Sequence, residues 1–134
     1  MTNYITLLKE NDLKATIQRT SILRSIDHAG HINIDDIYDD VKELYPTLSL
    51  ATIYKNIIVM QENNVIIEVP MHGKKSKYEL KKDDHIHLIC QGCGEIQDRD
   101  ITEKTQEALA IENFKLHSSQ INLYGLCKQC QRLR

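Results

Sequence analysis

Apolar residues recur at intervals of three and four along the first 62 residues, which is the spacing of one face of an α-helix. We predict four helices in this part of the chain, over residues 4–12, 17–29, 34–45 and 50–62. Residues that favour helix ends bound them, with Thr16, Asn33 and Ser49 as N-caps and Gly30 as a C-cap. The first half of the chain is therefore predicted to be mainly helical.

The pattern changes to short alternating runs after residue 64, and alternation is typical of β-strands. The predicted strands cover residues 65–69, 76–80, 85–90, 95–98 and 115–124, and Thr102 caps one more helix that runs to about Asn113. We therefore predict an α+β protein. Helices followed by a hairpin predict an N-terminal winged-helix domain over 1–80, a fold that suits a DNA-binding domain. A charged hinge at 81–84 leads to a C-terminal α/β domain over 85–134, which is too small to be stable alone and is expected to rely on dimerisation and metal binding.

The third and fourth predicted helices are joined by a short turn, as in a helix-turn-helix motif. Small and polar side chains at Ala51, Thr52 and Lys55 project outward from the fourth helix, which suits a helix that enters a DNA groove. Its inward face is predicted to carry Leu50, Ile53, Ile57 and Met60. Any two-helix corner shares these features, so the motif alone is a weak signal.

The four cysteines form two Cys-x-x-Cys pairs far apart in the sequence, Cys90 with Cys93 and Cys127 with Cys130. Four thiolates in this arrangement are the ligand set of a tetrahedral structural zinc site, and the alternatives are disulfides or a redox pair. The chain has no membrane-length apolar run and no signal-like N-terminus, so we expect a cytoplasmic protein without a membrane partner. In the cytosol, zinc is the favoured interpretation.

His85 and His87 alternate with apolar residues, so their side chains should share one face of a strand, roughly 7 Å apart along it. Two imidazoles on one face are suited to binding a single metal ion, and Cys90 falls on the opposite phase. The net charge of the 134-residue chain is -2, which neither predicts nor excludes nucleic-acid binding, because a local basic patch decides that question. Lysines at 74, 75 and 77 are candidates for phosphate contacts or for ordinary solvation.

Several motifs in order resemble one family, the ferric-uptake-regulator (Fur) superfamily of bacterial metal-responsive repressors. Lys-Ala-Thr-x-Gln-Arg at 14–19 resembles its opening, and Tyr-Pro-Thr-Leu-Ser-Leu-Ala-Thr-Ile-Tyr-Lys-Asn at 45–56 resembles its recognition-helix motif. The run His-x-His-x-x-Cys-x-x-Cys-Gly at 85–94 and Tyr-Gly-x-Cys-x-x-Cys at 124–130 resemble its sensor and zinc motifs. The resemblance implies a homodimer that binds double-stranded DNA at a pseudo-palindromic operator.

The resemblance also implies site residues. The cysteines would hold structural Zn2+, and a regulatory Fe2+ or Mn2+ would bind between the domains through His31, Glu79, His85, His87 and Asp98. The implied DNA contacts are Lys14, Arg19, Ser49, Thr52, Tyr54 and Lys55.

Asp98 is typical of the peroxide-sensing subgroup, although Glu79 is not, and Ile86 and Ser119 are poor ligands for the extra site of many iron sensors. We favour peroxide sensing, in which oxidation of His31 or His85 releases the repressor from DNA. The alternative is an iron-responsive repressor of iron-uptake genes. Whether His117 is a secondary ligand is left open.

Two other classes compete with this interpretation. A metal hydrolase would be expected to carry a motif such as His-Glu-x-x-His, which the sequence lacks. A thiol oxidoreductase would be expected to open a helix with its Cys-x-x-Cys pair after a parallel strand, which we do not predict. We therefore expect no enzyme activity. A zinc-stapled DNA-binding module that senses nothing is the third possibility, and metal-dependent DNA binding distinguishes it from a sensor.

Overall fold

The computed structural model describes residues 2–132, which divide into two compact units. The N-terminal unit ends at Lys81 and the C-terminal unit begins at Lys82. Among the described residues, no helix is both long and apolar enough to cross a membrane.

Among its described residues, the N-terminal unit contains four helices and three short strands. In chain order they are α1 (Tyr4–Glu10), α2 (Ile17–Ala29), β1 (Ile32–Asn33), α3 (Ile34–Leu44), α4 (Leu50–Glu62), β2 (Ile66–Val69) and β3 (Lys77–Leu80). The predicted caps are confirmed, because the side chains of Thr16, Asn33 and Ser49 each accept a hydrogen bond from a backbone amide in the first turn of the following helix. These bonds satisfy amides that have no partner within the helix and so define where each helix begins.

The three strands form an antiparallel sheet in the order β1-β3-β2. The predicted hairpin of β2 and β3 is present, with Glu68 opposite Tyr78. The two-residue strand β1 is an addition to the prediction and pairs Ile32 with Tyr78. This pairing brings the connector after α2 alongside β3, and it thereby positions His31 near Glu79.

The core of the N-terminal unit is a continuous cluster of aliphatic side chains from all four helices and the hairpin, including Leu8, Ile22, Leu23, Ile26, Ile37, Ile53, Ile57 and Met60. The expectation that Leu50 joins this face is wrong, since Leu50 is 42% exposed. Leu50 is the first residue of α4 and precedes the turn whose side chains reach the core. It instead lies at helical spacing from Tyr54 and Ile58, which are also exposed.

Between residues 82 and 132, the C-terminal unit consists of a three-stranded sheet and two short helices. Its elements are β4 (His85–Cys90), β5 (Ile96–Asp100), α5 (Glu103–Ala108), β6 (Ile121–Gly125) and α6 (Lys128–Gln131). The strand order is β5-β4-β6, with β5 antiparallel and β6 parallel to the central β4. A parallel pair needs a crossover, and residues 91–120, which include β5 and α5, connect β4 to β6. The helix α6 was not predicted.

Two predicted boundaries in this unit are wrong. The helix expected to reach Asn113 ends at Ala108, and the strand expected from Lys115 begins at Ile121. Side chains after α5 such as Ile111 and Phe114 are each 65% exposed, so a longer helix would bury no apolar face in this unit. Strand pairing with β4 begins only at Ile121, opposite Ile86, so earlier residues have no β4 partner.

Candidate metal centres

The first candidate centre gathers all four cysteines of the chain in the C-terminal unit. Cys90 ends β4, Cys93 follows in the turn, Cys127 precedes α6 and Cys130 lies within it. Their sulfur atoms all lie within 4.8 Å of one another, and the four thiols are not joined by disulfides. Zinc–sulfur bonds of about 2.3 Å in a tetrahedron place the sulfurs about 3.8 Å apart, so this donor set fits Zn2+.

Backbone amides surround the sulfur of Cys90. The Cys127 amide donates to it at 3.3 Å and the Cys93 amide at 3.5 Å. These donors, first that of Cys127, lower the pKa of the Cys90 thiol to about 6 and so favour the thiolate that binds metal. Hydrogen bonding to Cys90 raises the pKa of Cys130 to about 12. The cluster thus favours a thiolate at Cys90, and a bound cation would favour deprotonation of Cys130.

Gly92 makes the turn between Cys90 and Cys93 fit against the second pair. A Cβ atom at Gly92 would lie 2.8 Å from the Cys130 sulfur and 3.0 Å from the Cys130 Cβ. Both distances are shorter than an ordinary van der Waals contact. The absence of a side chain at Gly92 therefore lets the two Cys-x-x-Cys segments approach closely.

The N-terminal unit carries a separate pair of donors. The Nε2 atom of His31 lies 2.8 Å from an Oε2 of Glu79, and the Glu79 side chain is fully buried. His31 immediately precedes β1 and Glu79 is in β3, so the β1–β3 pairing brings them together. One imidazole and one carboxylate are too few ligands for a specific site, since the metals that prefer such groups take four to six.

Three further donors converge within the C-terminal unit. His85 and His87 share one face of β4, as predicted, with ring centroids 4.4 Å apart. Asp98, opposite His87 on β5, directs Oδ1 toward both rings, at 3.4 Å from His85 Nε2 and 3.8 Å from His87 Nε2. Ligand atoms bound at about 2.1 Å to one ion are separated by about 3.0–3.4 Å, so each of the two histidine–Asp98 distances is at or near the separation expected for ligands of one ion.

The other carboxylate oxygen of Asp98 is held by Lys82, whose Nζ lies 2.7 Å from Oδ2. The lysine leaves Oδ1 directed at the histidines. Lys82 was not identified from the sequence as part of this site, because it lies in the charged run 81–84 that looked like a solvated connector.

In both His85 and His87, the ring nitrogen that faces away from Asp98 lies close to an oxygen atom. His85 Nδ1 is 2.8 Å from the backbone carbonyl oxygen of Asp83, and His87 Nδ1 is 2.8 Å from Oδ1 of Asn122. A carbonyl oxygen only accepts, so Nδ1 of His85 carries the proton and Nε2 presents its lone pair. Asn122 was also missed from the sequence, since nothing in its neighbourhood indicates which β4 residue it would face.

His117, which was left open as a secondary ligand, and Ser119, which is a poor ligand for the extra site of many iron sensors, both lie in the segment between α5 and β6. His117 is exposed between α5 and β6. Ser119 donates its backbone amide to Asp84 Oδ2 at 3.1 Å, and its hydroxyl lies 3.5 Å from the same atom. Ser119 therefore serves a loop contact in this structure.

The candidate DNA contacts divide into exposed and engaged side chains. Lys14, Tyr54 and Lys55 are exposed. Arg19 is half-buried, and its guanidinium donates to the Asn56 side chain at 3.1 Å and to the Lys14 carbonyl at 3.0 Å. Ser49 caps α4 through the Thr52 amide, with the Thr52 hydroxyl 3.0 Å away.

Of the lysines of the β2–β3 hairpin that are candidates for phosphate contacts, Lys75 is ion-paired with Asp35 at 2.7 Å. Lys74 is exposed. A DNA phosphate at Lys75 would therefore have to compete with a carboxylate that is already in place.

Comparison with known proteins agrees on one family. The sequence profile of the Ferric uptake regulator family matches residues 10–124. The peroxide operon regulator of Bacillus subtilis is 32% identical over 129 residues, which is 93% of this chain and 89% of that protein. The peroxide-responsive repressor PerR of Staphylococcus saprophyticus is 34% identical over 131 residues, 95% of this chain and 88% of the relative.

Solved structures give the same result. The peroxide stress regulator of Campylobacter jejuni superposes with a TM-score of 0.75 at 34% identity, covering 96% of this chain and 100% of that structure. The ferric uptake regulator of Vibrio cholerae also has a TM-score of 0.75, at 29% identity, covering 93% of this chain and 100% of its own. The mixed α+β fold and the motif resemblance are thereby confirmed, and the chain belongs to the ferric uptake regulator family.

Proposed function

We propose that this chain is a metal-dependent, homodimeric transcriptional repressor that senses peroxide. The observation that carries the proposal is the convergence of His85, His87 and Asp98 on one small volume beside β4. Named relatives at 30–34% identity are peroxide regulators, which supports peroxide as the signal. The protein is a cytoplasmic DNA-binding regulator and not an enzyme.

The regulatory ion, Fe2+ or Mn2+, is bound jointly by two incomplete donor sets. His31 and Glu79 supply an imidazole and a carboxylate from the N-terminal unit, and His85, His87 and Asp98 supply the rest from the C-terminal unit. Mixed nitrogen and oxygen donors suit these metals better than soft ones. Because the ligands come from both sides of the 81–84 hinge, the ion binds one relative orientation of the domains better than others and shifts the population toward it.

Structural Zn2+ is bound by Cys90, Cys93, Cys127 and Cys130. Among its described residues, the C-terminal unit buries two apolar side chains, Ile89 and Cys90, so an ion that crosslinks its two ends provides much of its stability. The unit is the domain, over residues 85–134, through which two chains associate.

DNA is bound by the winged-helix domain, residues 1–80, with α4 in the major groove. Tyr54 and Lys55 on the exposed side of α4 are the primary contacts, and Thr52, Ser49, Lys14 and Arg19 complete the surface. A two-fold dimer presents two such helices, so the operator is a pseudo-palindrome.

Bound Fe2+ supplies one-electron chemistry toward peroxide that bound Mn2+ does not. His31 and His85 would be the side chains that accept one oxygen atom from hydrogen peroxide, with water as the by-product, and an oxidised imidazole would be a weaker ligand. Weaker binding by these residues would destabilise the domain orientation that favours DNA.

DNA binding measured by fluorescence anisotropy tests the proposal. The probe is a duplex selected from a random pool by the Mn2+-loaded protein. We expect tight binding with Mn2+ and weak binding without it, and loss of this metal dependence in His87→Ala. His28→Ala, which changes an exposed histidine on α2, is the matched control and should behave as wild type. Equal binding with and without metal would indicate a passive zinc-stapled module.

Mass spectrometry after dilute peroxide distinguishes peroxide from iron sensing. The Fe2+-loaded protein should gain one oxygen atom on peptides that carry His31 or His85, and the Mn2+-loaded protein should not. Unmodified peptides combined with DNA binding that follows iron alone would favour the iron-responsive alternative.

A further inference from the structure

A series of hydrogen bonds joins the helix α4 to the segment that precedes α2. The guanidinium of Arg19 donates from Nε to Oδ1 of Asn56 at 3.1 Å and from Nη1 to the backbone carbonyl oxygen of Lys14 at 3.0 Å. The Asn56 side chain in turn donates from Nδ2 to the carbonyl oxygen of Thr52, four residues earlier on α4, at 3.0 Å. Arg19 and Asn56 are half-buried, so water competes less with these bonds than it would at an exposed position.

An asparagine suits this position because its side-chain amide carries both an acceptor and a donor. A guanidinium only donates and a backbone carbonyl oxygen only accepts, so the two bonds favour the same orientation of the Asn56 amide. Rotation of the amide by half a turn would place its NH2 group against the Arg19 guanidinium, and both bonds would be lost. Aspartate would retain the acceptor for Arg19 but not the donor for Thr52, and alanine would retain neither.

The segment at the other end of this series is held by local bonds. The Lys14 carbonyl oxygen also accepts from the Thr16 backbone amide at 3.0 Å. The Thr16 hydroxyl oxygen accepts from the backbone amide of Arg19 at 3.2 Å and so caps α2. The backbone of Lys14 is thereby fixed relative to Arg19, and Arg19 is fixed relative to α4 through Asn56.

We propose that Asn56 is a positioning residue that, through Arg19, holds Lys14 in a fixed position relative to the exposed side of α4. The inference rests on the proposed function, in which the exposed side chains of Lys14, Tyr54 and Lys55 contact the same duplex. Contacts from two segments contribute fully to affinity when their spacing already matches the DNA, because a mobile segment loses conformational freedom on binding. Asn56 thus increases the affinity for the operator through the placement of other side chains.

The bond between Arg19 and Asn56 is measurable without DNA. The experiment uses the full-length protein with zinc in the cysteine site, no Mn2+, and arginine labelled with nitrogen-15. Because hydrogen-bonded N–H groups exchange slowly, we expect the Nε–H of Arg19 to exchange with water more slowly than that of the exposed Arg24 on α2. The difference should persist in Asn56→Asp and shrink in Asn56→Ala, and an Arg19→Met sample assigns the signal.

DNA binding measures the consequence of the bond. Fluorescence anisotropy compares the duplex selected from a random pool by the Mn2+-loaded wild type with an unrelated duplex of equal length. We expect Mn2+-loaded Asn56→Ala to bind the selected duplex at least about fivefold more weakly than wild type, which is a typical effect of removing one member of a coupled network. Its affinity for the unrelated duplex should change by less than about twofold, since non-specific binding depends on charges that the substitution leaves in place.

Asn63→Ala is the matched control for Asn56→Ala. The Asn63 side chain donates to the backbone carbonyl oxygen of Val59, four residues earlier, at 2.8 Å, which is the same local bond that Asn56 makes with Thr52. Its replacement removes that local bond at the C-terminal end of α4 and leaves the Arg19–Asn56 bond in place. Both DNA affinities of Asn63→Ala should therefore equal those of wild type.

A double-mutant cycle separates positioning from a general loss of stability. Lys14→Met should weaken binding to the selected duplex in the wild-type background and should cost less in the Asn56→Ala background, where Lys14 is no longer held in place. Lys74→Met, which changes an exposed lysine of the β2–β3 hairpin, should have the same effect in both backgrounds. A general loss of stability would leave the effects of both lysine substitutions the same in the two backgrounds.

The outcomes distinguish this inference from the proposed function. A wild-type Arg19 Nε–H that exchanges as fast as that of Arg24 overturns the inference, and this holds even if Asn56→Ala fails to fold. Folded Asn56→Ala with a wild-type preference for the selected duplex, or with an undiminished effect of Lys14→Met, overturns the positioning role and leaves the proposed function intact. A wild-type protein that binds no duplex in the presence of Mn2+ overturns the proposed function, and the positioning role fails with it.

Discussion

The sulfur atoms of Cys93 and Cys127 lie 3.9 Å apart although 34 positions separate them in the chain. The first belongs to the turn after β4 and the second to the segment between β6 and α6. Contact between them closes the C-terminal unit at one end of its sheet. The continuous aliphatic core, by contrast, is formed by residues of the N-terminal unit.

Removal of one sulfur should therefore unfold the C-terminal unit. Structural zinc sites contribute on the order of 10 kcal/mol of apparent folding free energy, far more than so small an apolar core supplies. We expect Cys127→Ser to lose its zinc, measured by elemental analysis, and to lose the part of the β-sheet signal in circular dichroism that comes from the C-terminal sheet. Gln129→Ser, within the same Cys-x-x-Cys segment, is the control and should retain both. A zinc-free Cys127→Ser protein with an intact sheet would contradict the prediction.

Substitution of Gly92 tests the close approach of the two cysteine pairs. In Gly92→Ala the new methyl group would overlap the Cys130 sulfur, 2.8 Å away, so the turn or Cys130 must shift. Overpacking of this kind costs about 1–3 kcal/mol, which corresponds to at least about a fivefold loss of zinc affinity in competition with a chelator. Gly125→Ala is a matched control, because a Cβ at Gly125 has no heavy atom within 4 Å. Equal affinities for the two variants would show that the turn accommodates the methyl group.

The local features of the fold were predictable because they depend on residues close in sequence. The caps at Thr16, Asn33 and Ser49 follow from side chains that bond amides three positions onward. The shared face of His85 and His87 follows from the two-residue period of a strand. These relationships need no knowledge of the rest of the chain.

The features that were missed depend on partners distant in sequence. The strand β1 has two residues, too few for any periodic pattern, and exists because Ile32 pairs with Tyr78. The contact of Asn122 with His87 depends on the register of a parallel pair, which is set by the path of the crossover and not by a turn. The end of α5 at Ala108 depends on whether later apolar side chains are buried, and Phe114 is not.

Arg19 should contribute to stability as well as to the candidate DNA surface. Its guanidinium connects the start of α2 to Asn56 on α4 and to the carbonyl of Lys14. We expect Arg19→Met to lower the free energy of unfolding by about 1–2 kcal/mol in urea denaturation, since two hydrogen bonds from a charged donor are lost at a half-buried position. The α4 helix would also lose one constraint on its orientation.

Lys55 provides the comparison for Arg19, since it is exposed on the same helix as Asn56. Lys55→Met should leave the free energy of unfolding within about 0.5 kcal/mol of wild type. It should also reduce the slope of log DNA affinity against log salt concentration by the amount expected for about one phosphate contact. An Arg19→Met protein with unchanged stability but weaker DNA binding would assign Arg19 to a phosphate contact alone.

Tyr78 should make the stability of the N-terminal unit depend on pH under alkaline conditions. Burial, together with the nearby Glu68 carboxylate at 3.3 Å from the hydroxyl, raises the pKa of Tyr78 to about 12 from an ordinary value of 10.0. A raised pKa in the folded state means that the native protein holds the proton more tightly than the unfolded chain. The stabilisation is fully present below pH 10 and is lost as the pH rises toward 12, by at most about 2.7 kcal/mol.

Urea denaturation at several pH values between these limits should show this decline in the free energy of unfolding, and Tyr78→Phe should flatten it because the ionisable group is gone. Tyr38→Phe, on α3, leaves the Tyr78–Glu68 pair intact and should retain the decline. The same slope in Tyr78→Phe as in wild type would assign the pH dependence to another group.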